Sequence, residues 1–342
     1  MAGGQDIYHR DRRTYEPEVT PLDPSQRGKD PATHWRSGHV LRKIETPKWR
    51  TRESNFPLLP AGANLQVKWP ISFGGIPSAD MVTHAFETKP GSTAKFVGVT
   101  VPRGGRPDAY LLYFRHSARS SDYPGGAGLL DMGIGDYLEG RMQLSRQISV
   151  SGKRVAAVVP IAIGGSGEFE TSEAFVRQAL RDIDRDLYGG SGALPPLLLA
   201  CNSDGITKMN KFIDSCPGLA REVKAIYDFD GSHLKSAPKV HSVGGGAFVI
   251  RYDGPAAARP NRGEAQTSFL ARMMGAKPAR VPLPYDRWGS GTPPHGRYKA
   301  ASAEPADPKA KDPYRQERHN WLHHHIPTCM LTHALSVTPI LK

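Results

Sequence analysis

The chain reads as an α/β protein of three layers, a mostly parallel sheet with helices on both faces. Two observations predict this. Short apolar runs, AYLLYF at 109–114 and RVAAVVPIAI at 154–163, lack the alternation of a half-exposed strand and suit strands covered on both sides. Such runs also alternate with stretches of helical period, the rhythm of right-handed strand–helix–strand crossovers. A chain of 342 residues, 38% of them apolar, can bury a large core.

Taken in order, residues 1 to about 60 are polar, Pro-bearing and charged in both senses, which predicts an extended or disordered basic arm. The texture changes at Asn64, and 61–342 forms the folded domain, its entry marked by NLQVKWPISF as a first strand. KFVGVTV at 95–101 alternates as a half-buried strand does, and AYLLYF and RVAAVVPIAI follow as buried ones. After Gly164–Gly167 comes a helix capped by Thr171 or Ser172, with Val176, Leu180, Ile183 and Leu187 on one face and Gly189–Gly190 as its stop. Leu197–Ala200 is the next strand; Ile206, Met209 and Ile213 mark a helix that ends near Pro217. VKAIYDF at 223–229 and AFVIRY at 247–252 add two more strands. Residues 255–319, rich in Pro, Gly, Arg and Lys, read as an insertion or cap around a short stripe, Phe269, Leu270, Met273 and Met274. WLHHHIPTCMLTHAL then regains apolar period as a closing helix.

A formal charge of +12 raises the question of nucleic acid, since Lys and Arg displace phosphate counterions. The basic residues are spread along the arm and the Pro-rich stretch without interleaved aromatics, so a solvated basic surface is the simpler account and no nucleic-acid partner is expected. Cys201, Cys216 and Cys329 have unrelated spacings, giving neither a disulfide framework nor a zinc site. The N-terminus has no apolar core of a secretory signal and no run reaches membrane-spanning length, so the expected location is cytoplasmic, or outside by a route without a classical signal peptide.

Three motifs carry possible chemistry. Pro195 to Ile206 runs from a buried strand into Ser203, with small residues Cys201 and Gly205 two positions to either side, then into a helix. This is the small–x–Ser–x–small pattern of a nucleophile elbow, with Cys201 where glycine usually stands. The plainer reading of Asn202-Ser203-Asp204 is a helix cap. The second motif, Asp228-Phe-Asp230-Gly231-Ser232, resembles the opening motif of haloacid dehalogenase phosphatases, although only about 110 residues follow and a later acidic pair is absent. The third, Leu111 to Ser117 with Arg115-His116, resembles the entry of histidine phosphatases, with Ser117 in place of glycine and a long stretch ahead of it. The histidines 323–325 could ligate a metal, but no partner at helical spacing completes a site, and Gly164–Gly167 lacks the pattern of a phosphate loop. No metal and no cofactor are expected.

One arrangement accommodates the elbow, an acid at the end of a later strand, and histidines near the C-terminus, in the order Ser, Asp, His. From about Lys95 to the end, the Pro-rich stretch 255–319 excluded, the chain resembles the α/β-hydrolases, without pointing to a particular member. The resemblance implies Ser203 as nucleophile and His323, ahead of Ile326-Pro327, as general base, with His324 and His325 as alternatives. It implies Asp228 as the orienting acid, with Asp230 and Asp253 as rivals. The backbone N–H groups of Asp204 and of His116, in the Arg115–Ser117 loop, would form the oxyanion hole. The implied activity is hydrolysis of an ester or amide in a small molecule or polymer through an acyl-enzyme. The alternatives are a phosphatase using Asp228 and Asp230 or His116, and a catalytically silent hydrolase-shaped binding protein.

Overall fold

A computed structural model describes residues 37–44, 46, 80–116, 132–139, 142–162, 165–190, 192–229, most of 246–253, residues 279–282 and scattered positions from 238 to 243 and from 327 to 341. Among these, nine strands form one sheet: β1 (Leu41–Ile44), β2 (Met81–Thr88), β3 (Phe96–Pro102), β4 (Ala109–Phe114), β5 (Val155–Ile161), β6 (Leu197–Asn202), β7 (Val223–Phe229), β8 (Phe248–Asp253) and β9 (Ala279–Pro282), in the spatial order β1-β2-β3-β5-β4-β6-β7-β8-β9. The helices are α1 (Met132–Glu139, a π-helical segment), α2 (Leu144–Ser151), α3 (Glu168–Thr171), α4 (Glu173–Tyr188), α5 (Gly205–Ser215) and α6 (Pro217–Glu222).

From β5 through β4, β6, β7 and β8 to β9 every pair is parallel; β1, β2 and β3 run antiparallel to their neighbours at the other edge. The predicted α/β layering is therefore what the chain forms. In β4 the side chains alternate between two cores: Leu111 and Tyr113 face α1, α2 and the helical residues near 330–335, while Tyr110, Leu112 and Phe114 face α4, α5 and α6. Burial on both faces explains why AYLLYF and its counterparts are continuous apolar runs.

Helix α4 forms where its end signals stand. The Ser172 hydroxyl accepts the Phe175 N–H, and Gly189, left-handed at φ 64°, ends the helix by donating to the last carbonyls. Its buried face carries Phe175, Val176, Ala179, Leu180 and Ile183.

Three differences from the expected organisation stand out. KFVGVTV is not half-exposed: every residue of β3 is buried, because α-helical layers cover both faces here too. Within the stretch read as an arm, Leu41–Ile44 joins the sheet beside β2, and the Asp182 carboxylate of α4 receives the N–H groups of Val40 (2.7 Å) and Leu41 (2.9 Å). Within the stretch read as an insertion, Ala279–Pro282 extends the sheet beside β8. The proposed NLQVKWPISF strand, the Phe269–Met274 stripe and the histidines 323–325 lie outside the described residues.

Candidate active site

The register of the parallel strands sets the geometry. Phe114, Cys201, Asp228 and Arg251 lie in one row across β4, β6, β7 and β8, and Asn202, Phe229 and Tyr252 lie one residue nearer the C-terminal edge. Ser203 follows directly on β6, and Asp253, the last residue of β8, follows Tyr252 at the same level. This is the edge where open parallel sheets place their sites.

Ser203 has φ 55°, one of two non-glycine residues with positive φ among those described. A side chain in that region costs on the order of 1–2 kcal/mol, and such strain persists where the surroundings over-determine it. Here the turn is squeezed between the strand and α5. The Ser203 N–H reaches the Phe229 carbonyl at 3.4 Å, and its own carbonyl receives the Ile206 N–H at 3.3 Å. Gly205 is required on steric grounds. A Cβ there would overlap the Phe114 carbonyl oxygen and stand 2.9 Å from the Phe114 carbonyl carbon and 3.1 Å from that of Arg115. Helix α5 can start this close to β4 only on a glycine. Cys201 is fully buried on the other side of the turn, where a larger residue would meet the row of Phe114 and Asp228.

The helix-cap reading of Asn202-Ser203-Asp204 does not describe this turn. Asp204 is the residue ahead of α5, yet its side chain makes no capping bond to the helix. Asn202 is turned to His116 instead: its Oδ1 accepts the His116 backbone N–H at 3.3 Å and its Nδ2 lies 3.5 Å from His116 Nδ1. The Tyr137 hydroxyl is 2.6 Å from the same Nδ1. The backbone N–H that the resemblance assigns to an oxyanion hole is thus held by Asn202, next to the serine.

Asp228 lies deeper than its predicted role suggests. Its carboxylate is fully buried level with Cys201, with Oδ2 2.8 Å from Arg251 Nε and Oδ1 3.7 Å from the Cys201 sulfur. Burial, then the Asp228 charge, pushes the Cys201 thiol well above its ordinary range, so it is held as the uncharged thiol. Asp228 stands one residue short of the end of β7, and its side chain is fully buried.

Two cationic side chains meet at this turn: Arg115, named in the sequence only as part of the Arg115-His116 motif, and Lys208, which was not singled out. Arg115 is 1% exposed; its Nη1 donates to the His116 carbonyl at 2.9 Å, and its Nε is buried without a hydrogen-bond partner. Lys208, on the first turns of α5 and 6% exposed, donates to the Arg115 carbonyl at 2.9 Å. Burial, then the Arg115 charge, lowers the Lys208 ammonium to about 8, against the opposing pull of Asp204 and Glu170. For Lys208 the only advance signal was its position, five residues after Ser203.

Asp230 and His323 lie outside the described residues, as does the side chain of Asp253. Among the described residues there is no cluster of His, Cys, Asp or Glu suited to a metal ion, and no helix long and apolar enough to cross a membrane.

No family model matches the chain, and no curated protein matches it in sequence. Solved structures do resemble it. An inhibited esterase B from Lactobacillus rhamnosis is 10% identical over 75% of this chain and 88% of that one, with a TM-score of 0.34. An esterase from the fungus Rhizomucor miehei is 13% identical over 72% and 84%, with a TM-score of 0.37. An arylesterase is 13% identical over 76% and 86%, with a TM-score of 0.35.

Proposed function

We propose that the chain is a serine hydrolase that cleaves an ester or amide bond through an acyl-enzyme on Ser203. The observation that carries this reading is the strained turn itself: Ser203 at φ 55° between a buried strand and a helix whose glycine rests on the backbone of β4. A turn that needs only to cap a helix has no use for that strain.

In this mechanism the Ser203 hydroxyl attacks the acyl carbon and passes its proton to an imidazole, His323 on the resemblance. The imidazole returns the proton to the departing alcohol or amine. Water, deprotonated by the same imidazole, then attacks the acyl-enzyme, and the serine regains its proton as the acid leaves. The Asp204 N–H at the start of α5 would receive the oxyanion, and the His116 N–H, the second donor on the resemblance, would have to exchange Asn202 Oδ1 for it. For the acid, the register supports Asp253, which ends β8 at the level of Ser203, over Asp228, whose buried carboxylate is occupied by Arg251. That occupation also speaks against the phosphatase reading, in which Asp228 must be free to attack phosphorus.

Labelling with a fluorophosphonate probe tests the proposal. The native chain is expected to be labelled and the Ser203→Ala variant not; label that survives the alanine, or a folded native chain that takes none, refutes it.

A further inference from the structure

Arg115 is a buried cation without a carboxylate partner among the described residues. A guanidinium does not shed its proton in a protein, so burial cannot be relieved by neutralisation. The structure gives it one neutral acceptor, the His116 carbonyl, and leaves Nε unmatched. Lys208 is brought beside it by its bond to the Arg115 carbonyl, a reach toward the helix N-terminus natural to a helical side chain. The nearby acids do not discharge the pair. Glu170 accepts the Ser166 N–H and lies 3.5 Å from Lys211, a different lysine. Asp204 and Glu170 favour the charged Lys208, yet burial and Arg115 outweigh them. Two cations held together under cover, at the start of the helix behind the nucleophile, cost stability unless something negative joins them.

We infer that Arg115 and Lys208 form an anion-accepting subsite beside Ser203, and that the substrate carries a compact oxyanion, a carboxylate or a phosphate, close to the bond that is cut. The inference rests on the serine hydrolase reading for the position of that bond, while the anion site itself does not. The guanidinium offers a planar pair of donors to two oxyanion oxygens, and the ammonium supplies a point charge.

Two measurements on the full chain test it. The first is hydrolysis of a pair of aryl esters of equal acyl length, mono-p-nitrophenyl glutarate and p-nitrophenyl valerate. The ratio of kcat/KM, anionic over neutral, is expected to exceed one and to fall about tenfold in Arg115→Gln and in Lys208→Met, the usual effect of losing a charge-assisted hydrogen bond. Because both esters are read on one preparation, loss of folded protein cancels from the ratio. A native ratio at or below one, or one that neither variant changes, overturns the assignment of the anion to the substrate.

The second measurement needs no turnover: calorimetric titration of glutarate, and separately of inorganic phosphate, into the Ser203→Ala chain. Saturable binding of at least one, weakened about tenfold by adding Lys208→Met, supports the subsite, and the anion that binds identifies its chemistry. Absence of binding by both anions, or binding indifferent to both Arg115→Gln and Lys208→Met, overturns it. A chain that binds the anion but never takes the fluorophosphonate retains the subsite and loses the hydrolase reading.

Discussion

Replacing Ser203 by glycine and, separately, by alanine isolates the strain that the proposed chemistry depends on. Both changes delete the hydroxyl, so both abolish labelling; they differ only in what the backbone tolerates. At φ 55° alanine keeps the clash between Cβ and the backbone, about 1–2 kcal/mol, while glycine removes it. Glycine also gives the unfolded chain more freedom, worth about 0.5–1 kcal/mol in the other direction. The net expectation is a glycine variant more stable than the alanine variant by about 1 kcal/mol. With a urea slope of about 3 kcal/mol per molar, that moves the unfolding midpoint up by ~0.3 M. At an ordinary position the order is reversed, so the sign carries the test. An alanine variant as stable as the glycine variant would refute the claim that this turn is held against its own preference.

Other consequences follow from the same region. Gly205→Ala forces a methyl group onto the Phe114 carbonyl and should destabilise the chain by about 3 kcal/mol while reducing fluorophosphonate labelling; a urea midpoint and labelling rate like those of the native chain would show that α5 has room to move. Lys208 holds its proton to about 8 in the folded chain but to about 10.5 when unfolded, so between those values the unfolded state binds more protons and native stability rises with pH. Lys208→Met lacks that term: it should be more stable than the native chain by about 2–3 kcal/mol at pH 7 in urea unfolding, with the gap closing toward pH 10. Asp228→Asn removes the opposite charge 2.8 Å from buried Arg251 and should cost about 3–5 kcal/mol in the same assay. Asp253→Asn should leave the midpoint in place and cut ester turnover on the order of a thousandfold; steady-state kinetics giving the reverse pattern would return the acid to Asp228.

How much was legible follows from where the chain's instructions are local. The strands β4 to β8 announce themselves because burial on both faces demands unbroken apolar runs, and α4 because Ser172 and Gly189 mark its ends within the segment. The tight strand-to-helix turn at Ser203 was legible for the same reason: Cys201, Ser203 and Gly205 are set by contacts within one turn and its neighbour. Strand β2 was missed because MVTHAFET mixes half-buried His84 and Thr83 with buried Ala85 and Phe86, matching neither period. Helix α2 carries Ser, Arg and Gln where an apolar stripe is expected. It is held by buried Gln147, which bonds the Pro327 carbonyl at 2.8 Å and the Leu331 N–H at 2.9 Å, contacts with the distant end of the chain. The Asp228–Arg251 pair and the Arg115–Lys208 pair are facts of register and of helix placement, and residues 23 or 93 positions apart give no local sign of meeting.

The grip of Asp182 on the backbone at positions 40 and 41 bears on where this protein can be shortened. A version begun at residue 61, the natural cut if everything earlier were a tether, would lose β1 and uncover the hydrogen-bonding rim of β2 to any passing strand. It would also strip Asp182 Oδ2 of both its backbone N–H partners, leaving the carboxylate, among the described residues, only Gln178 and Arg185 on Oδ1. Trimming that stops ahead of residue 37 keeps both the rim sealed and the carboxylate matched.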